Sequence, residues 1–359
     1  MVKVPSKIET WQMLAPGKMK RATIDVPRLE AGEVLIEIAG CGICRNDHAV
    51  FYGEVPTGSV TPRTLGHEIS GTIVDGDAAL LGKEVIIPPV MPCHNCVICK
   101  AGRENRCLAA KIPGYSMGIY GGNSSHIVVP LADLCYIKEK KGIPLSHFAV
   151  VADAVASTYQ AAKRADVQPG DMVIIVGATG GAGVYATQIC AAMGAKEVIG
   201  IARNEEKLER AMKFGATHVI SSRNKTAKEI LAEFYSYCMS KSLPPYCGWK
   251  IFEWSGTAAG QEIALELLPF IGKLVVGGCG THQNECSFSR LMTLEADIIG
   301  SWACRPKYYP DVLNMVLSGL IRIEPFIKTM PMSQIKEAYE EAHRGGLTQR
   351  IVLTPDFEK

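Results

Sequence analysis

The chain has 359 residues, more than one hydrophobic core usually holds, so about two domains are expected. Its 38 Lys and Arg residues nearly balance its 36 Asp and Glu residues, and the net charge of +2 excludes bulk attraction to nucleic acid or to an anionic membrane. No apolar run reaches roughly eighteen residues and no apolar signal core opens the chain, which predicts a cytoplasmic protein. In that compartment the 13 cysteines are expected to be thiols and metal ligands rather than a disulfide framework.

The first part of the chain, residues 1–154, contains short apolar segments separated by Gly and Pro. Strands are predicted at 32–39, 69–74, 84–88 and 125–130. Alternation of apolar and polar residues with frequent turns is typical of a β-rich, barrel-like domain.

Two segments of this domain, Gly40–His48 and Gly66–Glu68, combine the side chains that bind transition metals. A thiolate, an imidazole and a carboxylate gathered from separate loops can hold Zn²⁺ and leave one coordination position open. Cys44 and His67 are the predicted ligands. Cys41 is interpreted as a packed thiol.

Two acidic residues beside these ligands leave alternatives open. Glu68 follows His67 directly, so it is either an exchangeable ligand or a carboxylate that contacts the ligands without binding the metal. Asp47 could accept the second N–H of the His67 ring and so orient it, or it could be a turn residue.

Four cysteines form a second metal motif at the spacing C-x2-C-x2-C-x7-C. They are Cys93, Cys96, Cys99 and Cys107. Four thiolates complete the tetrahedral shell of Zn²⁺ and leave no position for a substrate, so the predicted site is structural. An iron–sulfur cluster and a set of buried or disulfide-bonded cysteines are the alternatives. A nucleic-acid-binding zinc ribbon is disfavoured because no basic stripe surrounds the motif.

From Asp153 the pattern changes to alternating helices and strands. After an Ala-rich helix that reaches about residue 165, strands are predicted at 172–176, 197–201, 218–220, 250–253 and 273–277. This alternation is the signature of a parallel, doubly wound sheet, an α/β fold. The predicted second domain therefore spans 155–297, and residues 298–359, with a last strand at 350–354, are predicted to return to the first domain.

A glycine-rich loop follows the first strand of the second domain, and it predicts a dinucleotide site. Gly180, Gly181 and Gly183 lie between that strand and the next helix. Glycine permits a tight turn there and lets backbone N–H groups approach a pyrophosphate at the amino end of the helix. A simple turn is the alternative, but the position between strand and helix favours the dinucleotide.

The end of the second parallel strand bears on the choice of cofactor. A carboxylate expected there for the ribose diol of NAD is absent, and Ala202 and Arg203 occupy the place. A small residue followed by an arginine favours NADP or a mixed preference. Glu205 and Glu206 are nearby but are expected in the first turn of the next helix.

The chain resembles the zinc-dependent medium-chain alcohol dehydrogenases over nearly its full length. The resemblance rests on five motifs, Gly42–Asp47, Gly66–Glu68, Cys93–Cys107, Gly177–Gly183 and Ile251–Thr257. It implies a GroES-like catalytic domain, a Rossmann cofactor domain, a cleft between them, two zinc ions per chain, a nicotinamide cofactor and a homodimer or homotetramer.

The same resemblance assigns further site residues. The family's third catalytic-zinc ligand falls on Asp153, six residues before Tyr159, where a sulfur or a glutamate is commoner. Arg45 is implied as a contact of the cofactor pyrophosphate, and Arg350 is implied near the cofactor and Glu68.

One position departs from the family and affects the mechanism. The residue two places after the cysteine ligand is Asn46, where the family usually has Ser or Thr to pass the substrate proton to solvent. An amide can hydrogen-bond a substrate oxygen but does not relay a proton readily at neutral pH. Proton exit is therefore expected elsewhere, through His48 or a chain of waters. The implied reaction is still oxidation of an alcohol activated by zinc, with hydride transfer to nicotinamide.

Within the family, several segments resemble the 6-hydroxycyclohex-1-ene-1-carbonyl-CoA dehydrogenases, NAD-dependent enzymes of anaerobic aromatic degradation. The segments are 8–13, 121–126, 287–292 and 299–305. A cyclic hydroxyacyl-CoA oxidised to its 6-oxo product with NAD is the substrate that this resemblance implies, and Arg290, Arg305 and Lys307 are candidates for the CoA phosphates. A dehydrogenase of a simple secondary alcohol or polyol is the alternative. A non-enzymatic relative is disfavoured by Cys44, His67 and Asp153.

Overall fold

The computed structural model describes residues 4–55, 61–280 and 282–357. The strands, in chain order, are β1 (Lys7–Ala15), β2 (Lys18–Asp25), β3 (Glu33–Gly42), β4 (Arg63–Thr64), β5 (Glu68–Asp75), β6 (Glu84–Ile87), β7 (His126–Pro130), β8 (Cys135–Ile137), β9 (Met172–Val176), β10 (Glu197–Ala202), β11 (His218–Ser221), β12 (Lys250–Glu253), β13 (Lys273–Val276), β14 (Asp297–Gly300), β15 (Ile327–Pro331) and β16 (Arg350–Thr354).

The α-helices mostly follow strands. The α-helices are α1 (Arg45–Phe51), α2 (Val97–Lys100), α3 (Ala156–Ala165), α4 (Gly183–Ala192), α5 (Glu205–Met212), α6 (Ala227–Ser240), α7 (Ala258–Glu266), α8 (Phe288–Leu294), α9 (Tyr309–Leu317) and α10 (Ile335–Arg344). Among the residues that the structure describes, no helix is long and apolar enough to cross a membrane.

The chain divides into two compact units. The first comprises the described residues of Met1–Ala156, Ala303–Ser318 and Ile323–Lys359. Its seven-stranded sheet has the order β15-β16-β3-β5-β6-β8 with β7 paired to β3, and a smaller sheet has the order β2-β1-β4. The apolar residues of β3 alternate between two buried faces, which explains why this strand lies at the centre of the core.

The pairing of β3 with β5 places the two predicted metal segments side by side. The strands are antiparallel, and Gly42 at the end of β3 lies opposite Glu68 at the start of β5. Gly42 is required at this point because a Cβ atom there would lie 2.1 Å from a Glu68 carboxylate oxygen. The residues that leave β3 and enter β5, Cys44 and His67, are therefore brought together by the register of one strand pair.

The second unit comprises Ser157–Trp302 and Gly319–Arg322. Its strands pair in parallel in the order β11-β10-β9-β12-β13-β14. The strand order reverses between β9 and β12, and in an open parallel sheet ligands bind at the carboxyl ends of the strands at such a point. The structure confirms the predicted doubly wound sheet.

Two features of the fold differ from the predictions. The boundary predicted between 297 and 298 falls inside β14, which pairs with β13 and extends the parallel sheet of the second unit. The antiparallel pair of β1 and β2 was not predicted; β2 buries only Met19, so its apolar signal is weak.

Candidate active site

Four potential ligand atoms from the first unit meet at one point. Atoms of Cys44, His67, Glu68 and Asp153 all lie within 4.8 Å of one another. The Cys44 Sγ is 3.6 Å from Asp153 Oδ2, and His67 Nε2 is 3.4 Å from the same oxygen. Tetrahedral Zn²⁺ with ordinary bond lengths places a sulfur and an oxygen about 3.6 Å apart, and a nitrogen and an oxygen about 3.4 Å apart. The three side chains therefore fit one zinc ion and leave a fourth position.

The orientation of the His67 ring is fixed by a buried carboxylate. His67 Nδ1 lies 3.0 Å from Asp47 Oδ1, so Nδ1 carries the proton and Nε2 faces the other ligand atoms. Asp47 also accepts hydrogen bonds from the backbone N–H groups of Cys44 and Gly66. This carboxylate thus holds both metal segments, and its contact with Cys44 closes the first turn of α1.

Glu68 is paired with an arginine. Arg350 Nε donates to Glu68 Oε2 over 2.8 Å, and a second guanidinium nitrogen donates to Oε1. Both side chains are almost fully buried. Burial raises the pKa of Glu68, and the Arg350 guanidinium opposes that shift. This bidentate pairing supports the alternative in which Glu68 is a counter-ion, because a metal bond would compete with Arg350 for its oxygens.

Asp153 lies in a π-helical turn, Val151–Val155, that leads into α3. The predicted helix therefore begins earlier and with a wider turn than expected. Such turns occur frequently at functional sites because the extra residue turns one side chain off the regular helical face. Tyr309 anchors the turn, since its hydroxyl donates to the Ala152 carbonyl over 2.6 Å.

The other predicted catalytic residues lie on α1. Arg45 is exposed, Asn46 is half-buried and His48 is buried. Burial, together with Arg45 and His343, lowers the pKa of His48 to about 4. Its Nδ1 atom is buried without a hydrogen-bond partner in the described part of the chain. His48 is therefore a neutral imidazole at pH 7, with one ring nitrogen unused.

A half-buried tyrosine lies beside His67. The ring of Tyr115 packs edge-on against the His67 ring, with centroids 5.6 Å apart. Its hydroxyl is shielded from solvent and makes no hydrogen bond with the residues that the structure describes. No local pattern indicated this contact, because Tyr115 follows the cysteine motif in an irregular segment.

The four cysteines of the second motif also converge. Their sulfur atoms lie within 4.8 Å of one another, and three pairs are 3.4, 3.5 and 3.9 Å apart. Tetrahedral Zn²⁺ requires sulfur atoms about 3.8 Å apart. Hydrogen bonds from backbone N–H groups lower the pKa of Cys96 to about 6, whereas burial raises the pKa of Cys99 to about 12. The set fits a closed zinc site, where the ion's charge stabilises all four thiolates.

The glycine loop of the second unit joins β9 to α4 as predicted. Gly180 and Gly181 are exposed in the turn, and Gly183 begins the helix. A Cβ atom at Gly183 would lie 2.0 Å from the Gly177 carbonyl oxygen, so only glycine permits this close approach of helix and loop. The loop lies between a parallel strand and a helix, where a pyrophosphate-binding loop is expected, and cofactor binding by the three glycines stays a prediction.

A buried carboxylate at the end of β12 was missed from the sequence. Glu253 accepts hydrogen bonds from the Ser255 and Gly256 backbone N–H groups over 2.8 and 3.0 Å, and from the Ser255 hydroxyl. It fixes the turn that follows β12 at the reversal of strand order. The sequence signal for this contact was an acid at the end of an apolar strand, with Ser255 and Gly256 two and three residues later.

Comparisons with known proteins agree with this geometry. Residues 30–139 match the alcohol dehydrogenase GroES-like domain, and residues 181–318 match the zinc-binding dehydrogenase domain. The chain is 30% identical to sorbitol dehydrogenase of Bombyx mori, over 92% of this chain and 93% of that protein. It is 26% identical to an NAD-dependent alcohol dehydrogenase of Sulfolobus acidocaldarius, over 92% and 94% respectively.

Solved structures show the same fold. An alcohol dehydrogenase from Thermotoga maritima superposes with a TM-score of 0.84 at 22% identity and covers 98% of this chain and 100% of its own. The family matches and the relatives agree on one class of enzyme, oxidoreductases that use zinc and act on CH–OH groups. The chain belongs to the zinc-dependent medium-chain alcohol dehydrogenase family.

Proposed function

We propose that the protein oxidises the secondary alcohol of a small molecule or polyol, or reduces the corresponding ketone, with hydride exchanged with a nicotinamide dinucleotide. The observation that carries this proposal is the three-ligand set of Cys44, His67 and Asp153, whose spacings suit one zinc ion with a fourth position for substrate. The second zinc belongs to the four-cysteine motif and is structural. A sorbitol dehydrogenase, an alcohol dehydrogenase and a D-xylulose reductase among the relatives support the substrate class.

A zinc ion held by these three side chains supplies the Lewis acidity that lowers the pKa of an alcohol oxygen. The chain supplies the orientation. Asp47 fixes the tautomer and direction of His67, and Tyr309 fixes the turn that carries Asp153. With Asp153 the ligand set has an oxygen atom where a sulfur is more usual in the family. The set is therefore a harder donor set, in the sense that oxygen ligands are hard and thiolates are soft.

Proton handling falls to α1. The Asn46 amide can donate a hydrogen bond to a substrate oxygen, but it does not carry a proton onward at neutral pH. His48 lies one helical turn beyond Cys44, is neutral at pH 7 and has an unused Nδ1 atom. It is therefore the side chain of α1 that can carry the proton transiently, because a pKa of about 4 prevents it from holding a proton at pH 7.

A cyclic hydroxyacyl-CoA, namely 6-hydroxycyclohex-1-ene-1-carbonyl-CoA, is the second candidate substrate. The four segments that resemble dehydrogenases of that thioester favour it. The cations suggested for the CoA phosphates favour it less, because each already has a partner. Arg305 donates to Glu104 over 3.0 Å, Arg290 donates to the Glu266 carbonyl, and Lys307 lies over the Tyr308 ring. The simple alcohol or polyol is therefore the preferred candidate.

The remaining parts of the proposal concern the cofactor and the assembly. NAD is the cofactor that the relatives' names indicate, and Gly180, Gly181 and Gly183 are the residues proposed to hold its pyrophosphate. We further propose a homodimer or homotetramer in the cytoplasm. Light scattering of the purified chain measures the oligomer directly.

Metal content and activity together test the proposed function. The wild-type chain should contain two zinc ions and reduce nicotinamide cofactor with secondary alcohols or polyols, measured by absorbance of the reduced cofactor. Asp153→Asn should retain one zinc ion and lose most of the activity, whereas Asp25→Asn, a matched change in a surface pair with Lys7, should change neither. Activity confined to the cyclic hydroxyacyl-CoA would select the second candidate. One zinc ion in the wild-type chain would contradict both.

A further inference from the structure

The four-cysteine motif is joined to the rest of the first unit by an arginine that lies across it. Arg305 Nε donates over 3.0 Å to the Oε2 atom of Glu104, which lies between the third and fourth cysteines. The guanidinium also lies against Gly102, where a Cβ atom would be 2.9 Å from one of its nitrogens. The side chains of Arg305 and Glu104 are only 17% and 22% exposed. Because salt screens a partly buried ion pair less than an exposed one, this contact constrains the loop that carries the last two cysteines.

Glu104 belongs to the turn that ends at the last cysteine. It begins a short 3-10 turn, Glu104–Arg106, and its carbonyl accepts from the Cys107 N–H over 3.0 Å. Burial raises the pKa of the Glu104 carboxyl, but hydrogen bonds from its own backbone N–H and from Arg305 outweigh that effect and hold it below its ordinary value. Glu104 is therefore a carboxylate at pH 7. A shift of Cys107, a proposed ligand of the structural zinc, moves the acceptor of Arg305.

The same arginine begins the segment that anchors the turn of Asp153. Arg305 caps a 3-10 turn, Pro306–Tyr308, that runs directly into α9. Tyr309, the first residue of α9, is 1% exposed, and its hydroxyl donates to the Ala152 carbonyl over 2.6 Å. Asp153 is the next residue of the chain. The segment therefore connects the ion pair beside the four-cysteine motif with a proposed ligand of the catalytic zinc, and all of these residues belong to the first unit.

We propose that Arg305 is a positioning residue that couples the two zinc sites of the chain. When the four-cysteine motif is filled, Glu104 holds Arg305, and Tyr309 in turn holds the backbone beside Asp153. An empty motif frees Glu104, so the Asp153 turn loses part of its support and the catalytic site binds zinc more weakly. Coupling between two binding sites is reciprocal, so each ion raises the affinity for the other by the same factor. This inference rests on the proposed function, because it takes Asp153 as a zinc ligand.

Release of zinc to a chelating dye tests the coupling without substrate. The chain is loaded with two zinc ions, and Asp153→Asn, which lacks the catalytic ion, identifies the release phase of that ion. Arg305→Met should still bind two ions but release the catalytic one roughly tenfold faster, because loss of an outer contact that orients a ligand weakens metal binding by about that factor. Arg305→Lys keeps a donor for Glu104 and should recover most of the wild-type rate. Lys328→Met removes a cation–glutamate pair elsewhere in the first unit and should leave the rate unchanged.

A double-mutant cycle tests whether the coupling runs through this segment. Tyr309→Phe removes the other end of the connection and should speed release of the catalytic ion by a similar factor. The double variant with Arg305→Met should be no faster than the faster single variant, because both changes break the same connection. Multiplication of the two factors, or a wild-type release rate in Arg305→Met, would overturn the inference and leave the proposed function intact. A wild-type chain that binds one zinc ion would refute both.

Discussion

The buried pair of Glu68 and Arg350 gives a prediction that decides whether Glu68 is a metal ligand. The Glu68 side chain is 0% exposed and that of Arg350 is 10% exposed, and two hydrogen bonds join them. Removing one partner leaves an uncompensated buried charge, which typically costs about 3–5 kcal/mol. Arg350→Met should therefore lower the free energy of unfolding of the first unit by about that amount. Glu68→Gln strands the buried charge of Arg350 instead, so its cost should fall in the same range, although the amide can still accept one hydrogen bond from the guanidinium.

The double variant Glu68→Gln, Arg350→Met isolates the pairwise interaction. Once Arg350 is absent, the neutral amide at Glu68 removes the stranded charge, so the double variant should be more stable than Arg350→Met alone by about 1–3 kcal/mol. Urea unfolding of the zinc-loaded chains, followed by circular dichroism, measures these differences. If the loss of stability in the double variant equalled the sum of the losses in the two single variants, the reasoning would be refuted, because the two charges would then not depend on each other.

Zinc content of the same variants separates the two roles of Glu68. If it is a counter-ion, Glu68→Gln retains two zinc ions per chain after gel filtration, because Cys44, His67 and Asp153 are intact. Loss of one zinc ion would show that the carboxylate binds the metal despite its pairing with Arg350.

Three further predictions follow from single side chains. Cys99→Ser should reduce the zinc content to one ion per chain and lower thermal stability, whereas Cys135→Ser, a buried thiol outside the motif, should keep both ions; atomic emission of the purified chains measures this. His48 has a folded pKa of about 4 against an ordinary 6.5, so the folded state resists protonation and stability falls as pH drops through that window. Between pH 7 and pH 4 the free energy of unfolding of His48→Gln should therefore fall less than that of the wild type, by on the order of 2 kcal/mol once partial solvation of the ring is allowed for. An equal shift of the urea midpoint with pH in both proteins would contradict this prediction. Tyr115→Phe removes a buried hydroxyl without a partner in the described chain, so the free energy of unfolding should stay constant or rise by up to about 1 kcal/mol; a larger loss in urea titration would reveal a partner.

Short sequence patterns predicted those elements whose structure depends on neighbouring residues. The strands β9, β12 and β16 lie where apolar runs predicted them, because buried parallel strands and core strands leave a continuous apolar signal. The four cysteines converge because two-residue spacings hold Cys93, Cys96 and Cys99 in one loop and Cys107 follows after only seven residues. The turn after β9 follows from glycines that no other residue can replace at Gly183.

Contacts between residues far apart in the sequence could be identified only from the fold. Glu68 and Arg350 are 282 positions apart and meet only because β3 pairs with both β5 and β16. The contact of Tyr115 with His67 depends on an irregular segment without periodicity. Asp153 was assigned as a ligand through family resemblance, because no spacing rule links it to Cys44, 109 positions away. The edge strand β14 belongs to the parallel sheet through its pairing with β13, a contact that no local pattern specifies.

Anomalous diffraction at the zinc absorption edge, from crystals of the wild-type chain, tests the central claim most directly. Two peaks per chain are expected, one among the four cysteines and one about 2.3 Å from Cys44 Sγ and about 2.1 Å from His67 Nε2 and an Asp153 oxygen. A chain with full occupancy at the cysteines and no peak beside Cys44 would contradict the proposed active site.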